Sequence, residues 1–191
     1  MLNVFLPVAA QAIREPREAA STLMSMGVPP AALWPAFGSL VCLTVIITFL
    51  SGGQEAGAGS AMVGPLSLAF TSAIAGAASI FLVWKIGGAM DGTGSFEETL
   101  LLTVFLQAIV FAGQLIELVL FLFFTPLAGM FSIGMIVLTF WINLNFIAAL
   151  HGFASLWRAF GVLVFASLGV ALILVFVMSL LGVQFMAGGF A

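Results

Sequence analysis

The chain has 191 residues, of which 63% are hydrophobic and only 6% charged, and its mean hydropathy is +1.33. Soluble domains are about 45–50% apolar and about 25% charged, so a water-soluble globule is excluded, and so is a disordered chain, which needs low hydrophobicity and high net charge. Four Lys+Arg against seven Asp+Glu exclude a basic nucleic-acid binder and the single cysteine, Cys42, excludes a disulfide scaffold, which leaves an all-α polytopic membrane protein.

Residues 1–30 form a first unit. Positions 2–13 are apolar, but no cationic stretch precedes them as in a secretory signal. Leu2, Phe5, Leu6, Ala9 and Ile13 share one face at helical spacing, and Pro7 fits an early turn or a kink. Arg14-Glu15 leads to Pro16, which restarts a helix bearing Arg17 and Glu18. Ala20, Leu23 and Met24 make a second apolar patch before Gly27 and Pro29-Pro30 break it. Such a segment is expected to lie amphipathically in the headgroup plane; a solvated tail is the alternative.

Residues 31–191 are expected to hold five spans, each an apolar stretch near the ~20 residues a bilayer requires. The first runs about 33–50 and ends at Ser51-Gly52-Gly53. The second runs about 62–86 with Pro65 near its start, the third about 96–124 with Thr125-Pro126 stopping it. The fourth runs about 129–150, before a loop at His151-Gly152, and the fifth about 156–181. Runs such as Val110–Leu122, mostly apolar despite one glutamate, do not alternate as barrel strands do. Small residues on the second span, Ala69, Ser72, Ala73, Gly76 and Ala77, let another backbone approach closely, most simply within the bundle. Trp34, Trp84, Trp141 and Trp157 include several near span ends, as in an aromatic belt.

The cations fix an orientation. With the N-terminus in the cytoplasm, Arg14, Arg17, Lys85 and Arg158 all fall on the cytoplasmic side, and Glu55 alone is charged opposite them. The loop 87–98 contains Asp91 and leads to Ser95, Glu97 and Glu98. Ser95 with Glu98 three residues on is a capping box, and both glutamates complement the positive start of a helix. That loop reads either as a well-made helix start or as a surface for a cytoplasmic partner. Lys85 suits snorkelling or anionic headgroups.

Polar groups within the spans are few. Thr103, Gln107, Gln114 and Glu117, spaced four, seven and three apart, fall within about one third of the third helix's circumference. This stripe reads as a proton, ion or headgroup path, or as polar glue between helices. Glu117 lies roughly 29 Å from Glu98 along a helix, so it also fits the outer interface. Asn143 and Asn145 point about 160° apart, so they cannot line one site and read as helix glue. No catalytic constellation is present, and no cofactor or metal site is expected. His151 stands alone, and no Cys/His/carboxylate set has ligand spacing.

Several segments together resemble the bacterial branch of the Yip-domain family, named for proteins that interact with Ypt/Rab GTPases. They are Glu15-Pro16 before the first span, Lys85 with Gly87-Gly88, and the run Gly92-Thr93-Gly94-Ser95-Phe96-Glu97-Glu98-Thr99-Leu100. Trp141, the two asparagines, His151-Gly152 and Arg158-Ala159 complete the pattern over about residues 10–182. The resemblance implies five spans, a cytoplasmic N-terminus and a far-side C-terminus in a bacterial inner membrane. It draws attention to Glu15, Lys85 and the 92–100 loop. Rab recruitment is not implied, because bacteria lack Rab GTPases and only about 30 residues precede the first span.

The leading expectation is a non-enzymatic scaffold or adaptor working with membrane lipids and a membrane or cytoplasmic protein, or with a second copy of itself. The alternatives are a small transporter, channel or lipid-translocating protein using the Thr103–Glu117 stripe, or an accessory subunit. A watery cavity reaching Glu117 favours transport, whereas a dry, packed stripe favours the scaffold.

Overall fold

The computed structural model describes residues 2–51 and 64–180. These residues form seven helices, and no strand occurs among them. In chain order they are α1 (Leu2–Arg14), α2 (Pro16–Ser25), α3 (Pro30–Leu50), α4 (Pro65–Ala89), α5 (Phe96–Phe123), α6 (Thr125–His151) and α7 (Leu156–Leu180). The last five are long and apolar enough to cross a membrane. Their bounds follow the predicted spans within a few residues; Gly52, Gly53, Glu55, positions 62–63 and 181 lie outside the described residues.

Prolines set the starts. Pro16, Pro30 and Pro65 each open a helix, where a missing N–H costs no intrahelical bond. Thr125-Pro126 acts differently from expectation. It opens α6 four residues earlier than predicted, and one extended residue, Phe124 (φ −159°, ψ 83°), is the whole connection from α5. Pro7 sits inside α1 without ending it.

The spans close into a ring in the order α3–α4–α7–α6–α5, each touching its two neighbours, with α4 also reaching α5 and α6. Glycines allow the closest approaches. Gly76 of α4 faces the Phe37 ring of α3, so the small-residue face packs within the bundle, and Gly169 of α7 faces Leu82 of α4.

Burial is uneven along the ring. The core gathers at the end bearing the α4 C-terminus, the α5 N-terminus, the α6 C-terminus and the α7 N-terminus, around Ile80, Leu100, Ile142, Ile147 and Val162. The opposite ends of α5, α6 and α7 expose Leu122, Met130, Ile133 and Phe176, the outward apolar surface a lipid-solvated bundle requires.

The N-terminal helices cover the packed end. α2 lies on α6 and α5, and α1 lies on α2. Ala19, Ala20 and Leu23 are buried and Met24 is half-buried, so the second apolar patch packs on α5 and α6. α1 divides its apolar arc: Val8 and Ala12 are buried, whereas Leu6 and Ile13 stay exposed.

Candidate functional site

Among the described residues, the charged side chains other than Glu117 collect at the packed end. Arg14, Glu15, Arg17 and Glu18 are exposed at the α1–α2 junction, Lys85 and Asp91 around the end of α4, Glu97 at the start of α5 and Arg158 at the start of α7. A hydrogen bond and like charge from Glu18 push the Glu15 carboxyl above the ordinary glutamate range, and Arg14 opposes this more weakly. The capping box forms as expected. The Glu98 N–H donates to Ser95 Oγ at 3.2 Å, and the Ser95 N–H donates to Glu98 Oε2 at 2.8 Å. Lys85 Nζ stands 4.2 Å from the Trp84 ring centroid. Trp84 meets Phe96 edge-on at 5.6 Å, and Phe96 meets Trp34 at 6.3 Å, so aromatic contacts tie α4, α5 and α3 together beneath this surface.

His151 is the joint of this end. It was expected in a loop; it is the last residue of α6 and is 2% exposed. Gly152 behind it takes the left-handed conformation (φ 67°) that closes the helix. The imidazole stacks on Phe153 at 5.4 Å and packs against Gly87 and Gly92, where a Cβ would collide with the ring. The Gly92 N–H donates to the Gly87 carbonyl at 2.9 Å, and the Thr93 N–H to the His151 carbonyl at 3.4 Å. These bonds fasten the 90–95 loop to α4 and α6. Among the described residues, neither ring nitrogen makes a well-aligned hydrogen bond, and the Val83 backbone is a polar group acting on the ring. The sequence did carry a signal for this burial: Leu144, Ile147, Ala148 and His151 continue one helical face.

The predicted polar stripe divides in two. Thr103 donates back to the Thr99 carbonyl at 2.8 Å and Gln107 is half-buried; neither lines the cavities that Gln114 and Glu117 reach. Gln114 and Glu117 stand between a cavity of about 660 Å³ against α6 and α7 and one of about 260 Å³ against Thr48 of α3 and Ser51 just past its end. Gln114 Oε1 is buried and has no hydrogen-bond partner among the described residues. Asn143 lines the larger cavity, whereas Asn145 is buried and donates to its own helix at the Trp141 carbonyl, 2.9 Å away. Ser132, Thr139 and Ser167 add polar lining that sequence reasoning missed. Its signal was present in part, since Ser132, Thr139 and Asn143 lie within about 40° on one helix face.

The larger cavity does not cross the bundle. Beyond Asn143, buried Phe146, Ile147, Leu150 and His151 fill the way to the charged end. Among the described residues, no group of three or more His, Cys, Asp or Glu side chains is placed to hold a metal.

Comparison with known proteins gives one family. The Yip1 domain matches residues 10–183, which takes in all seven helices in whole or in part. Neither the curated proteins nor the solved structures gave a match. The matched segment covers nearly all of the chain, and the five apolar helices agree with it: the chain is a multi-pass membrane protein of the Yip1-domain family.

Proposed function

We propose that this chain is a non-enzymatic scaffold or adaptor of a bacterial inner membrane, with its N-terminus and charged end in the cytoplasm and its C-terminus in the periplasm. One observation carries the reading. The surface-exposed ionic groups of α1, α2, α4, α5 and α7 converge on the end where the core is densest and where His151 locks the 90–95 loop. A packed, charged platform over a lipid-facing ring suits docking of a membrane or cytoplasmic protein. All four cations lie at this end, which is the arrangement that holds an end in the cytoplasm.

The test is co-purification from native membranes into nanodiscs, with mass spectrometry of proteins and lipids. The scaffold reading expects a stoichiometric protein partner that is lost when Asp91 and Glu97 are replaced by Lys. A chain that purifies alone, with both variants behaving as wild type, contradicts it.

The larger cavity favours a second reading, as a small transporter, channel or lipid-translocating protein built around Gln114 and Glu117. Flux across proteoliposomes that falls in Glu117→Gln would support it. The buried layer around Ile147 and His151 argues for a closed-ended binding site instead.

A further inference from the structure

The bundle holds one acidic side chain away from its charged end among the described residues, and that side chain faces a cavity. α5 has 28 residues and is about 42 Å long, against about 30 Å of hydrocarbon, so its ends project toward both headgroup layers. Glu117 comes seven residues before Phe124, about 10 Å along the helix from the α5–α6 turn. It therefore stands close below the far headgroup layer. Ser132, eight residues after Phe124 on the returning helix, comes at the same height.

The lining of the larger cavity contains Glu117 and no Lys, Arg or His. A carboxylate at this depth needs a counter-charge or donors, and among the described residues no hydrogen-bond or ion-pair partner is formed to it. Gln114 Oε1 adds a second acceptor one turn away, buried and without a hydrogen-bond partner among the described residues. Two such acceptors call for a group with several N–H donors and a positive charge. A primary ammonium has three donors, whereas a trimethylammonium has none. Deeper in the cavity Val110, Ile136, Phe140, Leu163 and Val164 present apolar surface, interrupted by Thr139, Asn143 and Ser167, and Ile136 and Val164 are exposed, so that part opens to the bilayer. The volume of about 660 Å³ falls within the usual range for ligand sites, about 300–1,000 Å³.

We infer that the cavity between α5, α6 and α7 binds a phospholipid of the far leaflet by its primary-ammonium headgroup, held by Glu117 and Gln114, with an acyl chain along α6 and α7. The inference does not depend on the scaffold reading. It rests on the second reading only in taking the cavity for a ligand site, and it requires binding, not flux.

The test uses the full chain in nanodiscs of mixed phosphatidylethanolamine, phosphatidylcholine and phosphatidylglycerol, followed by mild delipidation and native mass spectrometry. The expected result is one retained phosphatidylethanolamine per chain, preferred over both other lipids. Glu117→Gln should weaken that preference about tenfold or more, as for loss of a charge-assisted hydrogen bond. Ser167→Phe, which fills the cavity from α7 and leaves Glu117 intact, should abolish retention while the thermal transition persists. Retention indifferent to headgroup, or unchanged in Glu117→Gln, overturns the inference. Displacement by free ethanolamine with no lipid retained also overturns it, and marks a soluble-amine site. Selective retention without flux leaves the inference standing and removes the transport reading.

Discussion

At Gly87 the absence of a side chain is a structural requirement, because the His151 ring occupies the space a Cβ would take. Gly87→Ala must therefore push α4 off the end of α6. The expected cost is about 1–3 kcal/mol, as for overpacking a filled core, read as a lowered thermal transition in nanodiscs. Ser95→Ala removes one half of the capping box and should cost about 0.5–2 kcal/mol, with faster amide exchange confined to the first turn of α5. At the α1–α2 junction the raised pKa of Glu15 means that the folded chain holds this proton more tightly than the unfolded one. Its stabilising contribution is complete below the ordinary glutamate pKa and is lost as pH rises through the raised value. Glu18→Gln removes the like charge and should move Glu15 titration, followed by carboxyl NMR, back down; an unmoved curve would show that Glu18 is not its cause.

At the scale of elements, what the sequence revealed depended on what each element is made of. A span is defined by the length of its apolar run, so all five were legible, and so was the capping box at Ser95 and Glu98. Thr125-Pro126 was read as a stop alone because a proline that opens a helix looks the same as one that ends its predecessor. The faces helices turn to one another were less legible. α2 reads as an interfacial helix because its Ala20–Leu23–Met24 patch is no different from one meant for lipid; only the position of α5 and α6 decides that it meets protein. Replacing Ala19 or Ala20, both fully buried, by Leu should lift α2 from the bundle. Hydrogen exchange would then rise across 16–25 while α4 and α7 stay protected; unchanged protection of α2 would place its apolar face on the membrane after all.

For the whole molecule, the ring order is the feature that generates both candidate surfaces. Successive spans alternate in direction and so bring the α4–α5 loop, the end of α6 and the start of α7 to one side, under α1 and α2. The same order leaves α5, α6 and α7 less filled toward the other side, where Gln114, Glu117 and Ser132 share a cavity that runs inward to Asn143. No single helix encodes either arrangement, which is why the Thr103–Glu117 stripe looked continuous in sequence yet divides between a packed half and an open half. Both the platform and the headgroup site presuppose one sidedness. That sidedness is tested most directly by cysteine labelling with a membrane-impermeant maleimide, in a Cys42→Ser background with single cysteines at Arg17, Asp91 and Ser155. The account predicts that all three react in inverted inner-membrane vesicles and none reacts in intact spheroplasts. Labelling of any of them from the periplasmic side would contradict it.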